Sequence, residues 1–258
     1  MGSAMTPATP DIERRSAPPT TPSPRDLVDK LGSHPATLLG LRFATAEVGD
    51  EAKLERWLLA SCLFGGRVSR EQALLSLKGL DAAGLCALSG VRAAGAGPLA
   101  QVLADGGHPR AEATAGVMAR LASKLAERGA GALDAMGRAA ADLEELGGRL
   151  SALATGFGAA RIARFLQPLR DVWPAASELP LDPNACRAAV HLGWLGEDDD
   201  APSSLRSALD AEGEATSLAD LESALAELGR RACRRDLPDR CPLSDACPRR
   251  KASGDPHS

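Results

Sequence analysis

Tyrosine is absent from the 258 residues, and aromatic side chains of all kinds make up only 3%. Strands draw on aromatic and β-branched residues, whereas the alanine and leucine that dominate here favour helix. That balance excludes a sheet-built fold and predicts an all-α one. Long hydrophobic runs are missing too. None approaches the ~18 residues needed to cross a bilayer, so no membrane partner is expected. The amino terminus lacks the basic-then-apolar block of a secretory signal and carries proline, threonine and acidic residues instead. The expected compartment is the cytoplasm. Positive charge is also short. A net charge of −4 argues against coating nucleic acid through overall charge and leaves a local basic face as the way to bind it.

What is present points to a helical protein with a sizeable core. Apolar residues reach 44%, and the length suits one large domain or two small ones. Residues 1–25 hold six prolines and few large apolar groups. They cannot bury enough surface to offset ordering entropy, so a disordered tail is expected there and again over 248–258. Between them, apolar spacing predicts helices at about 26–46, 53–64, 70–79, 81–88, 110–128, 132–146, 184–195, 203–210 and 216–231. Residues 90–97, "GVRAAGAG", read as a loop. Gly137 weakens the helix over 132–146. Cys62 and Cys86 sit among apolar helical neighbours and read as core residues.

Three stretches carry chemistry. In "LATGFGAARIARFL" (153–166) two helices meet at Gly156-Phe157-Gly158. The glycines permit a tight turn, and the exposed amides that open the second helix are suited to an anion such as a backbone phosphate, with Arg161 and Arg164 adding charge. A plain turn between helices explains the same residues. In "LPLDPNACRAAVHLGWL" (179–195) Asp182 precedes a proline that suits the first helical position, so Asp182 reads as an N-cap stabilising the helix by ~1 kcal/mol. The same amides favour an ionised carboxylate, which suits stabilising a positive sugar and orienting a water. The third stretch runs from Arg230 to Lys251, with eight basic residues against three acidic ones, and carries Cys233, Cys241 and Cys247 in a C-x7-C-x5-C spacing. A metal site, or a loop without one, both fit that spacing. Arg230, Arg231, Arg234, Arg235 and Arg240 make a basic arm that suits a phosphate backbone.

Taken together these stretches resemble the helix-hairpin-helix DNA glycosylases, the endonuclease III and adenine-glycosylase superfamily. The likeness lies in Ala154-Thr155-Gly156-Phe157-Gly158-Ala159-Ala160-Arg161, in Leu181-Asp182-Pro183-Asn184-Ala185-Cys186-Arg187-Ala188, and in His191-Leu192-Gly193. It implies a two-lobed helical fold. One lobe is a helical barrel over 47–171 ending in the hairpin; the other joins 26–46 to 172–247 and carries the cysteine loop. It further implies a monomer that binds double-stranded DNA through Gly156, Phe157, Gly158, Arg161 and Arg187, with Asp182 as the catalytic carboxylate in the cleft between lobes. Cys233, Cys241 and Cys247 fall on the family's iron–sulfur loop, which implies a [4Fe–4S] cluster, although that loop has four cysteines and this one has three. Ala160 stands where bifunctional members carry an attacking lysine, so lyase chemistry through that position is excluded. The implied activity is that of a monofunctional glycosylase in base excision repair. A non-catalytic DNA-binding relative is the alternative. The stretch Ala60-Ser61-Cys62-Leu63-Phe64-Gly65-Gly66 occupies the place of the family's gap-filling segment without its usual residues.

Overall fold

Serine and aspartate caps punctuate the chain. In a computed structural model, which describes residues 21–43, 50–65, 68–210, 216–235, 237 and 241–243, thirteen α-helices follow one another among the described residues. They are α1 (Pro24–Leu31), α2 (Pro35–Leu38), α3 (Glu51–Ser61), α4 (Arg70–Ala82), α5 (Leu88–Ala94), α6 (Ala96–Asp105), α7 (Ala111–Arg128), α8 (Ala132–Arg138), α9 (Leu143–Ser151), α10 (Ala159–Leu166), α11 (Pro183–Leu192), α12 (Pro202–Asp210) and α13 (Leu218–Arg231). Short 3-10 turns occupy Gln167–Leu169, Pro174–Glu178 and Cys233–Arg235. Among the described residues extended pairing is limited to one isolated bridge, Gly65 to Val68. The fold is all-α. No helix among these residues is long and apolar enough to cross a membrane. Ser23 with Asp26, and Ser69 with Gln72, form reciprocal capping boxes on α1 and α4. Asp50, Asp142 and Ser217 cap α3, α9 and α13.

Four helix boundaries differ from the sequence reading. The single helix expected over 26–46 is broken, because Pro35 opens α2 with His34 as its cap. The piece expected over 81–88 is the end of α4 followed by a turn. The loop expected over 90–97 is largely helix. Its alanines sustain α5, and Gly95 alone, at φ 75°, turns the chain into α6. The helix over 132–146 divides into α8 and α9, since the Asp142 carboxylate accepts the Glu145 amide and starts a new helix. Gly137 also has a packing reason. A Cβ there would lie 2.1 Å from the Trp173 ring, so the glycine lets the indole seat against α8.

Two hydrophobic cores result. The first runs from Ala36 to Leu179 and gathers most of the scarce aromatics. Phe157 meets Phe165 edge-on at 6.5 Å, and Phe165 meets Trp173 at 5.7 Å. The indole nitrogens are satisfied. Trp57 donates to the Phe165 carbonyl at 2.9 Å, and Trp173 to Asp134 at 3.0 Å. The second core joins Leu27, Val28 and Leu31 of α1 to Leu181, to the inner faces of α11 and α13, and to Cys241 and Leu243. Val172, Trp173, Ala175 and Ala176 still belong to the first core, so the chain changes core between Leu179 and Leu181.

His34 links the two cores. Its ring packs edge-on against Trp57 at 5.2 Å, its Nδ1 accepts the Ala36 amide, and its own amide donates to Asp220 of α13 at 2.6 Å. Burial pushes its pKa down to about 4, with Arg164 and Arg70 acting in the same sense, and with the Asp220 charge and Gln167 opposing. The unfolded chain therefore binds this proton near pH 6.5 while the folded chain refuses it, and stability falls as pH drops between those values. Wild type is expected to lose about 2 kcal/mol more than His34→Asn on going from neutral pH to about pH 4.5. Asparagine keeps the cap without the titration. Urea denaturation at the two pH values measures the difference, and equal losses would dismiss the histidine as the source.

Candidate functional site

The hairpin keeps its hydrophobic residue inside and its glycines outside. Gly156 has φ 93°, the left-handed region that favours glycine. Phe157, between the two glycines, is buried against Phe165. Gly156, Gly158, Ala159 and Ala160 are exposed. No side chain caps α10; the Arg161 amide donates to the Gly158 carbonyl at 2.9 Å, and the Ala159 and Ala160 amides are left to solvent or a ligand. Two arginines brace the turn from behind. Arg161 donates to the Gly156 carbonyl, and Arg120 of α7 donates to the Thr155 carbonyl at 2.8 Å. Leu150, Leu153, Ile162, Phe165, Leu166 and Leu169 are all buried, as the two apolar faces predict.

Arg164 has a different task from the one its sequence position suggests. It is largely buried and donates to the Phe64 carbonyl at 2.6 Å. Burial lowers its pKa from the usual arginine value, the neighbouring Arg161 and Arg230 add to that, and Asp182 opposes it. The guanidinium thus sits within electrostatic reach of both Asp182 and the hairpin's Arg161. Its neighbour segment is tightly packed: Ala60, Ser61, Cys62 and Leu63 are buried, and the Ser61 hydroxyl donates to the Leu58 carbonyl at 2.8 Å. None of these four side chains is placed to reach outward. Gly66 lies outside the described residues.

Asp182 is the N-cap of α11, and its two carboxylate oxygens differ. Oδ1 accepts the Asn184 amide at 2.7 Å, the Asn184 side-chain amide at 3.0 Å and the Ala185 amide at 3.4 Å. Among the described residues no hydrogen bond engages Oδ2. The residue is half-exposed. Capping therefore occupies one oxygen and leaves the other able to face a substrate. Arg187 is exposed further along α11. A shallow depression nearby is lined by Ser177, Glu178, Pro180, Asp200, Ser203 and Arg206, and not by Asp182.

Behind Asp182 lies a polar cluster that sequence reading missed. Arg170 and Glu222 are fully enclosed and form an ion pair. Glu222 Oε1 also accepts the Asp182 amide at 2.7 Å and the Gln167 side-chain amide at 3.2 Å. Arg170 donates to the carbonyls of Leu179 at 3.2 Å and Pro180 at 3.0 Å. Gly229, one helix face away, lets α13 approach α11 closely; a Cβ there would lie 2.0 Å from the Asn184 carbonyl oxygen. Arg120, Arg170, Glu222 and Gly229 give no local signal, since each acquires its role from a segment distant in sequence.

The cysteine loop is described only in part. Cys233 is half-buried, Cys241 is buried, and both pack on the second core. Cys247 and Arg240 lie outside the described residues, as does the expected tail over 248–258 and the first 20 residues of the expected amino-terminal one. The donor set supplies three thiols where a [4Fe–4S] cluster takes four, so it falls short of a complete site. Of the basic arm, Arg230 and Arg231 share Glu227 as their carboxylate partner, and Arg234 and Arg235 are exposed. The other thiols are poor nucleophiles. Burial pushes Cys62 and Cys86 up to about 12 and Cys186 up to about 11, which keeps them protonated at neutral pH.

Comparison with protein-family models and with curated proteins gives no match.

Proposed function

We propose that the protein is a monofunctional DNA glycosylase with the two-lobed helix-hairpin-helix fold, acting as a monomer in base excision repair in the cytoplasm. The observation that carries this reading is the pairing of an uncapped, outward-facing hairpin with a carboxylate that keeps one oxygen unengaged. Open amides at the start of α10 suit one phosphate of double-stranded DNA. Arg161 on the same helix and the exposed Arg187 of α11 supply positive charge. A base taken out of the stack presents its glycosidic carbon to Asp182. As the bond breaks, its electron pair leaves with the base, and the Asp182 charge stabilises the positive sugar. A water then adds its oxygen to that carbon and gives its proton to Asp182. Ala160 offers no amine, so the strand stays intact after base loss.

The test is a panel of duplexes that each carry one deaminated, oxidised, alkylated or mismatched base. Purified protein is expected to leave alkali-labile sites in at least one of them, without strand breakage before alkali. Salt-sensitive binding with no base release across the panel would instead select the alternative, a non-catalytic DNA-binding relative. That alternative is favoured by the three-cysteine loop and by the packing of Ala60–Leu63. Visible absorbance of the purified protein tests separately whether the cluster that the resemblance implies is held by the three-cysteine loop.

Gly158→Asp probes the hairpin cleanly. Its backbone is extended, and nothing lies within 4 Å of a Cβ built there, whereas Gly156 has positive φ and a Cβ built on it would lie 2.9 Å from Val117. The new carboxylate repels a phosphate without disturbing the fold. Duplex affinity, read by fluorescence anisotropy, is expected to fall at least about tenfold with an unchanged melting temperature. Undiminished affinity would remove the hairpin from the DNA interface.

A further inference from the structure

We infer that Glu222 is a positioning residue for Asp182, held in place by Arg170 and Gln167, so that the segment following the hairpin helix sets where the carboxylate stands. The inference rests on the reading of Asp182 as the reactive group. Its basis is the route of the chain between the two cores. Residues Leu179 to Asp182 cross from one core to the other without regular structure. Four successive backbone groups of that crossing are nonetheless pinned. Arg170 donates to the carbonyls of Leu179 and Pro180, the Leu181 amide donates to the Asp200 backbone carbonyl at 3.1 Å, and the Asp182 amide donates to Glu222 at 2.7 Å. Arg170 and Gln167 follow directly on α10, while Glu222 belongs to α13. One enclosed carboxylate thus joins the hairpin segment to the cap residue.

Stability alone does not explain this choice of residues. A buried ion pair is commonly no better than a well-packed apolar pair of the same size. What an apolar pair cannot do is accept the Asp182 amide or hold the two carbonyls. The Asp182 amide is the group whose direction fixes the start of α11, and with it the placement of the side chain whose Oδ1 accepts the cap hydrogen bonds. A shift of about 1 Å in such a group lowers a rate by about a hundredfold.

Two substitutions separate anchoring from stability. Glu222→Gln and Glu222→Leu both leave Arg170 without its charge partner, so both lose stability. Only Gln keeps an oxygen opposite the Asp182 amide. Three readouts are taken on the full chain: hydrogen exchange of the Asp182 amide, single-turnover base release from the substrate duplex identified in the panel, and affinity for a duplex containing a tetrahydrofuran abasic analogue. The expected result is that Glu222→Leu speeds Asp182 exchange and lowers base release by about a hundredfold. Glu222→Gln retains both within a few-fold, and analogue affinity stays the same in all three proteins. A purely structural role predicts that Gln and Leu behave alike, and that outcome overturns the inference. If the orphaned arginine prevents folding, the same pair is compared in an Arg170→Met background, where no charge stays buried. Wild-type protein that releases no base overturns the glycosylase reading. The anchor is then judged on the amide alone: exchange that speeds in Leu but not in Gln upholds it, and exchange equal in the two rejects it.

Discussion

Asp182→Asn is expected to lower base release by at least about a hundredfold while leaving duplex affinity and helix α11 intact. Asparagine is as good an N-cap as aspartate. Its side-chain oxygen accepts the Asn184 and Ala185 amides that Oδ1 accepts now. The exchange therefore removes charge and little else. A neutral amide neither stabilises a positive sugar nor takes a proton from water. Aspartate's capping worth is ~1 kcal/mol, and asparagine keeps it, so the melting temperature should move little. Single-turnover release from the responsive duplex, with anisotropy on the same duplex, reads the two effects separately. Release at the wild-type rate would end the catalytic assignment and leave Asp182 as a cap.

Gly229→Ala is expected to destabilise the protein by about 3 kcal/mol, at the severe end of overpacking. A Cβ at this position would lie 2.0 Å from the Asn184 oxygen, 2.7 Å from its carbonyl carbon and 2.9 Å from its Cβ. These are mostly backbone atoms of α11, which cannot rotate away. The helices α11 and α13 must separate, and the second core opens with them. Asp182 begins α11, so activity per folded molecule should fall too. Gly148→Ala is the control. It lies on α9 with open space around a built Cβ, and alanine there should be neutral or stabilising by up to about 1 kcal/mol. Urea midpoints for the two variants decide the matter, and equal midpoints would show that α13 does not need the close approach.

Much of the helical framework was legible in the sequence, because short-range rules set it. The residue before a proline, a serine three places ahead of an acidic or amide side chain, and leucine at helical spacing are all local signals. They located α7, α11 and α13 closely. Phe157 differs from the reading: expected among the DNA contacts, its side chain is buried against Phe165, because an aromatic ring flanked by two glycines is drawn into the core. Failures came where a local signal was ambiguous. "GVRAAGAG" contains enough glycine to suggest a loop, yet alanine propensity wins and one glycine suffices for the turn between α5 and α6. Gly137 weakened a helix on composition, although its lack of a side chain is what admits Trp173. The candidate site divides in the same manner. Asp182 and the Gly-x-Gly turn announce themselves through neighbours in sequence. Arg170 and Glu222 do not, since an arginine and a glutamate 52 positions apart look like ordinary surface charges until tertiary packing encloses them. Arg164 misleads in the opposite sense, as a charge that reads as solvent-facing and is spent on a buried carbonyl.

The order in which the chain visits its two cores constrains how it can be made. Helix α1 packs on α13, far along the chain, and the bond from His34 to Asp220 spans 186 positions. The stretch from α3 to Leu179 can collapse as one continuous piece. The apolar stripe of Leu27, Val28 and Leu31 has no mate until α11 and α13 have been made. Closing so long a loop adds entropy that only α11 and α13 repay, so of the two cores the one that carries Asp182 assembles second.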